Sequence, residues 1–96
     1  MTIQEICKQI RELKKQKKYQ DVINITERYI DEMEQTYDWK YYGVDPYYYL
    51  EIAKAYRRLE NKEKEIAILK RYFSQKILPG IKTELIKIRL EKLIQN

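Results

Sequence analysis

Histidine is absent from this 96-residue sequence, and cysteine occurs once. Without histidine, the usual structural zinc patterns and the commonest general acid–base side chain are missing. The single cysteine, Cys7, excludes an intrachain disulfide, which indicates a reduced, cytosolic protein. Cys7 also lacks a histidine partner for nucleophilic catalysis, so we interpret it as an ordinary residue of an amphipathic helix.

Glycine and proline are equally scarce, with two of each, and long apolar runs are missing. Few chain-breaking residues favour long helices over sheets with many turns. No stretch approaches the ~20 apolar residues that cross a bilayer, and no apolar signal segment is present, so we expect no membrane insertion and no secretion. The length fits one domain, residues 1–96, with one modest core.

No residue pattern points to catalysis or to a bound cofactor. The glycines Gly43 and Gly80 stand alone, so no phosphate-binding loop is present. An acidic cluster could hold a hard cation, but we favour a solvated helix face for it; it comprises Glu27, Asp31, Glu32 and Glu34. We therefore expect no enzymatic activity, no metal site and no cofactor.

Apolar residues recur with helical spacing along most of the chain. The clearest case is residues 45–79, where two amphipathic segments flank a polar turn at residues 60–62. Asp45 as N-cap and Pro46 in the first turn mark one helix start, and Thr2 with Glu5 forms a capping box at another. The predicted helices are 2–16, 19–36, 46–60, 62–77 and 81–95. The predicted core of the hairpin contains Tyr49, Ala53, Tyr56, Ile66 and Leu69.

This hairpin resembles the tetratricopeptide repeat, a 34-residue helix pair with characteristic small and aromatic positions and a closing proline. Tyr49, Ile52-Ala53, Ala55-Tyr56 and Pro79 carry the resemblance, whereas Glu60 and Glu65 replace the usual glycine and small residue. The resemblance implies an all-α fold of antiparallel helix hairpins, with two repeats and a C-terminal capping helix. Repeat 1 would span about 3–36, an aromatic insert about 37–45, repeat 2 about 46–79 and the cap about 81–95.

Charge is distributed in alternating blocks with a net value of +5. Residues 1–20 and 52–96 are basic, whereas residues 21–51 are acidic. A sequence pI near 9.2 is compatible with nucleic-acid binding, but Lys- and Glu-rich helices with solvated faces give similar totals. Both interpretations remain open from composition alone.

Two basic triplets occupy single helix faces, because their members lie three and four residues apart. They are Arg11, Lys14 and Lys15, and Lys54, Arg57 and Arg58. The tetratricopeptide resemblance implies that the first helix of each repeat lines a groove, which would place both triplets there with Gln4, Cys7, Tyr47 and Leu50. Such a groove suits an acidic peptide, a terminal carboxylate or a nucleic-acid backbone.

Tyrosine is the most over-represented residue, with ten copies. Tyrosine and tryptophan are enriched where protein surfaces bind partners, but they also fill junctions between helices. For Tyr29, Tyr49, Tyr56 and Tyr72 we favour packing. Both roles remain open for the insert and its flank: Trp39, Tyr41, Tyr42 and Tyr47.

The last helix has more apolar residues than one neighbour within the chain requires. Ile81, Leu85, Ile88 and Leu93 form a broad stripe, with Ile86, Leu90 and Ile94 beside it. Part of this stripe is therefore expected to meet a second copy of the chain, giving a possible homodimer.

The sequence as a whole predicts a small intracellular protein-interaction module. We expect an adaptor or regulator that binds an acidic protein segment through the basic groove, flanked by the aromatic residues. The alternatives are a nucleic-acid-binding accessory protein and a steric inhibitor of an enzyme that uses the same groove.

Overall fold

The computed structural model describes residues 1–95 and is all-α, with no strand in that range. Its six helices are α1 (Ile3–Lys15), α2 (Tyr19–Met33), α3 (Tyr37–Tyr42), α4 (Pro46–Arg58), α5 (Lys62–Phe73) and α6 (Ile81–Ile94). The two predicted N-caps are confirmed, because the Thr2 hydroxyl accepts from Glu5 N and the Asp45 carboxylate accepts from Tyr47 N.

The same turn closes the hairpins α1–α2 and α4–α5. Lys17 and Glu60 both have a φ of 57°, a left-handed conformation that is uncommon for residues other than glycine. After α1, Lys18 N donates to Leu13 O; after α4, Asn61 N donates to Tyr56 O. Each is the long hydrogen bond of a Schellman turn, which ends a helix abruptly and allows the next one to fold back.

Helix α4 lies at the centre of the fold, in contact with α2, α5 and α6. Its buried face contributes Tyr49, Ile52 and Ala53, all at or near zero exposure. The predicted core is confirmed for Tyr49, Ala53, Tyr56 and Leu69. Ile66 is half-buried and packs against the edge of the core. Helix α1 packs on α2, and α6 packs on α5 and α4.

Two predicted helices end three or four residues early in the structure, and one helix was not predicted. Helix α2 ends at Met33 rather than at residue 36, and α5 ends at Phe73 rather than at residue 77. The reason at α2 is Thr36, whose hydroxyl donates to Met33 O and accepts from Trp39 N. This side chain ends one helix and begins α3, which was predicted to be irregular.

The apolar stripe predicted on the last helix is divided between two opposite faces. Thr83, Ile86 and Leu93 are buried and Leu90 is half-buried, whereas Ile81, Leu85, Ile88 and Ile94 are exposed. Hydrogen bonds to α5 select the inner face, because Tyr72 Oη lies 2.6 Å from Thr83 Oγ1 and Arg89 bonds Glu65. The sequence placed Ile81, Leu85, Ile88 and Leu93 on one broad stripe, whereas the structure buries Leu93 and leaves the other three exposed on another side of the helix.

Enlarging Ala53 is expected to destabilise the fold. Ala53 is 1% exposed on the central helix, so a leucine there would have to displace well-packed neighbours. We expect Ala53→Leu to lower the free energy of unfolding by about 1–3 kcal/mol. Urea unfolding followed by circular dichroism measures this change, and an unchanged midpoint would mean that the space around Ala53 is not tightly packed.

Candidate partner-binding surface

A cleft of about 560 Å³ opens between the end of α1, the start of α2 and the second half of α4. Its volume falls within the range of ordinary ligand pockets. Val22 and Ala55 form a buried apolar floor, and Tyr19 is half-buried at the side. The remaining lining residues are charged: Lys14, Glu51, Lys54, Arg57 and Arg58.

Two side-chain contacts join α1 to α4 at this side of the fold. Near the start of both helices, Cys7 Sγ lies 3.8 Å from Tyr48 Oη. Farther along, Lys14 Nζ lies 2.9 Å from Glu51 Oε2. Of the first basic triplet, on α1, Lys14 lines the cleft, together with all three members of the second triplet, on α4.

One cation of the cleft is already committed to a buried carboxylate. Glu51 is 5% exposed, and Lys14 is its ion-pair partner. Glu51 Oε2 accepts no well-directed hydrogen bond, so the contact with Lys14 is ionic rather than a well-aligned hydrogen bond. Burying a carboxylate requires such a partner, and Lys14 therefore serves the fold as well as the surface.

Arg57 is committed in the same way. Its Nε donates to Glu65 Oε2 at 3.1 Å, and Glu65 is 1% exposed. Arg89 of α6 donates to both oxygens of the same carboxylate. We predicted Arg57 to be a solvated groove cation, but the structure makes it one of two arginines that neutralise a buried acid.

Four cations of the two triplets remain exposed with no hydrogen bond or ion pair to residues 1–95. Two of them line the cleft, Lys54 and Arg58, and two lie on α1, Arg11 and Lys15. Exposed cations without partners are available for an incoming anion at little desolvation cost. The accessible positive charge of the cleft is thus centred on Lys54 and Arg58.

Tyr47 lies on the same side of the fold as this basic surface. Burial raises the pKa of its phenol, the nearby Glu51 carboxylate raises it further, and Arg11 opposes the shift. Lys82 of α6 lies over the Tyr47 ring, 5.4 Å from its centroid, a cation–π distance. Tyr47 is thus half-buried, and charged groups of three helices, α1, α4 and α6, lie near its side chain.

The aromatic residues of the insert divide into two groups. Trp39 is half-buried and packs against Tyr29 and Tyr48, with ring centroids 6.2 Å and 6.0 Å away, so it contributes to the core. Tyr41 and Tyr42 are exposed and in edge contact with each other, and the exposed Tyr37 stacks on Tyr41. We name Tyr37, Tyr41 and Tyr42 the tyrosine cluster.

Tyr37 was not among the predicted site residues. The feature of the sequence that could have identified Tyr37 is its position four residues before Tyr41. This spacing places the two side chains next to each other only if residues 37–42 form a helix. The cluster precedes α4, whereas Lys54 and Arg58 belong to its last turns. Pro46 and Arg58 are twelve positions apart along α4, which corresponds to about 18 Å. The predicted site residues therefore fall in two regions, one at each end of α4.

Three of the four residues of the predicted acidic cluster, Glu27, Asp31 and Glu34, make contacts within the chain. Arg71 bonds Asp31 and Glu34, Glu34 also accepts from Tyr49 Oη at 2.6 Å, and Glu27 accepts from Tyr56 Oη. The hydrogen bond that Arg71 donates to Glu34 raises the pKa of Arg71 above its usual value. Within residues 1–95, no group of three or more Cys, Asp or Glu side chains is placed to hold a metal ion.

Comparisons with protein-family models, curated proteins and solved structures find no match to this chain. In residues 1–95, none of the helices combines the length and the apolar character that a membrane span needs. The function is therefore inferred from the geometry of the surface itself.

Proposed function

We propose that the chain is a small intracellular protein-interaction module that binds an acidic protein segment in the cleft between α1 and α4. The observation that carries this proposal is the pair of unpartnered cations, Lys54 and Arg58, at the rim of a 560 Å³ cleft with an apolar floor. Carboxylates of a partner would pair with these cations, while an apolar side chain would pack against half-buried Tyr19 at the side of the cleft.

The architecture supports a binding module of tetratricopeptide type. Two helix pairs are closed by the same left-handed turn at Lys17 and Glu60, and two side-chain contacts join the first helices of both pairs. In this proposal, α1–α2 and α4–α5 are the two repeats and α6 is the cap. Stacked helix pairs present extended surfaces to partners and have no need of a catalytic centre.

The tyrosine cluster is a second candidate contact of the same module. Its three rings are more than half exposed and already packed on one another, so they would lose little side-chain freedom on binding. In contrast, we expect Trp39 to act mainly through packing against Tyr29 and Tyr48.

Charge reversal at the rim tests the proposal. Lys54→Glu with Arg58→Glu is expected to weaken binding of a labelled Asp- and Glu-rich peptide at least several-fold, because rim charges set the electrostatic attraction. Folding should be intact, since exposed charges without partners contribute little to stability. Fluorescence anisotropy measures the affinity, and circular dichroism checks the fold.

The matched control reverses two exposed cations outside the cleft, Arg28→Glu with Lys70→Glu, and makes the same change in net charge. Equal weakening by both variants would indicate a general charge effect and would overturn the assignment to the cleft. Arg57 is unsuitable for such a test, because its reversal would place a carboxylate against buried Glu65.

Nucleic-acid binding is the second candidate, favoured by the same free cations together with exposed stacked tyrosines. A single-stranded oligonucleotide distinguishes it in the same assay. Its affinity would fall linearly on a log–log salt plot, with a slope of about −0.7 for each phosphate contact. A steric inhibitor of an enzyme would use the cleft as the peptide does, and would be recognised by loss of the bound enzyme's activity.

A further inference from the structure

Helix α6 has a second apolar face that nothing in residues 1–95 covers. Ile81, Leu85 and Ile88 are 82%, 53% and 48% exposed, on the side opposite buried Ile86 and Leu93. We name these three residues the outer seam. Contiguous apolar residues that remain exposed on a small domain usually mark an interaction surface.

The outer seam has the spacing of a two-stranded coiled coil. Its members are separated by four and then three residues, the repeat that keeps one apolar line facing a partner helix. Leu78, also exposed, extends the apolar line immediately before the helix begins. Lys92 occupies the next seam position, so the apolar part is short.

The charges beside the outer seam are sorted by sign. Lys82 and Arg89 directly follow seam residues and form a basic edge, whereas Glu84 and Glu91 form an acidic edge on the other side. A helix with one basic and one acidic edge is complementary to a copy of itself. Self-complementarity of this kind is what a two-fold symmetric interface requires.

We propose that a second copy of this chain packs its α6 against the outer seam, with the two helices parallel. In a parallel pair, the acidic edge of each copy faces the basic edge of the other, which places Glu84 opposite Arg89. In an antiparallel pair, Glu84 would face Glu91 and Lys82 would face Arg89. These four like-charge contacts outweigh the single one of a parallel pair, Lys92 beside Lys92 of the second copy, and disfavour the antiparallel orientation.

Contacts within the chain hold the basic edge in place before association. Arg89 donates to Glu65 through Nε and Nη2, which leaves Nη1 for a carboxylate of the second copy, and Lys82 lies over the Tyr47 ring. Holding these side chains in advance reduces the entropy lost when the helices meet. The seam is nevertheless smaller than a standard interface, so association belongs to the weak class.

Sedimentation velocity over a concentration series tests the assembly. The wild-type mass should rise from one chain towards two between about 10 µM and 1 mM, the range of a weak complex. Leu85→Glu should keep the protein monomeric throughout, whereas Leu59→Glu, which changes an exposed leucine at the end of α4, should associate like the wild type. A wild type that stays monomeric, or a dimer that Leu85→Glu leaves intact, overturns the proposal.

Cysteine cross-linking tests the orientation. In a Cys7→Ser background, Leu85→Cys and Ile88→Cys are each oxidised with diamide, which takes up the two electrons and two protons released when a disulfide forms. A parallel pair brings each position next to itself, so both variants should cross-link alone, and Leu59→Cys should not. Cross-linking only between the two variants when mixed means an antiparallel pair, and no cross-linking means no seam contact; either result overturns the proposal.

Discussion

Replacing Arg57 and Arg89 together with methionine is expected to destabilise the fold by about 3–5 kcal/mol, the usual cost of leaving a buried charge without its partner. The charge is that of Glu65, which is 1% exposed and accepts hydrogen bonds from both arginines. Its carboxylate ties α4, α5 and α6 together. Urea unfolding measures the loss, at concentrations below those at which the chains associate.

Two further variants separate the buried charge from the loss of two surface cations. Arg58→Met with Lys87→Met removes two exposed cations and should change stability by less than about 0.5 kcal/mol. Adding Glu65→Met to the Arg57 and Arg89 double variant should recover much of the loss, because no unpaired charge then remains. A double variant as stable as the control would mean that water reaches Glu65.

The role of Glu65 also shows what the sequence could not reveal. Glu65 departs from the small residue of the repeat it resembles, and in a Lys- and Glu-rich helix it is indistinguishable from a solvated acid. Its partners are eight and twenty-four residues away, so only the packing of three helices brings them together. The same holds for Glu51, which the cleft buries beside Lys14.

The helices themselves were predictable because their signals are local. Apolar spacing, the Asp45-Pro46 start and the Thr2 cap predicted five of them and their order. Helix α3 was missed because its six residues carry no apolar period, and its start is marked only by the Thr36 hydroxyl, which accepts from Trp39 N. Helix α6 was predicted correctly as an element, but two apolar stripes fit its sequence, and contacts to Tyr72 and Glu65 decide which one is buried.

The candidate surface was predictable in part for the same reason. Spacing of three and four residues placed Lys54, Arg57 and Arg58 on one side of α4, and the structure places all three at one cleft. Helical spacing could not distinguish Lys54 and Arg58, which have no partner in residues 1–95, from Arg57, which has one. Free and committed cations differ only in tertiary contacts.

Alkaline pH is expected to unfold the protein cooperatively, because core tyrosines resist ionisation in the folded state. Burial is the largest cause that raises the pKa of Tyr48 and of Tyr49 well above the ordinary 10.0. Tyr49 Oη also donates to Glu34 Oε2 at 2.6 Å, and a phenolate there would face a carboxylate with no proton between them.

The direction of the effect follows from proton counting. Below pH 10 both phenols are protonated in the folded and the unfolded chain, so their contribution to stability is complete. Above pH 10 the unfolded chain releases these protons and the folded chain keeps them, so the free energy of unfolding falls by about 1.4 kcal/mol per pH unit for each tyrosine. Two tyrosines over two pH units remove about 5 kcal/mol, comparable with the whole stability of a small domain.

Phenolate absorbance and far-ultraviolet circular dichroism, followed together from pH 9 upwards, measure this transition. The last tyrosines should ionise as the helices unfold, and Tyr49→Phe should reduce the pH dependence of stability by one proton. Tyr42→Phe is the matched control, because Tyr42 is exposed and should leave that dependence unchanged. If all phenolate absorbance develops while the helical signal is intact, hydroxide reaches Tyr48 and Tyr49 in the folded state. The tight packing of these two α4 residues against α2 would then be wrong.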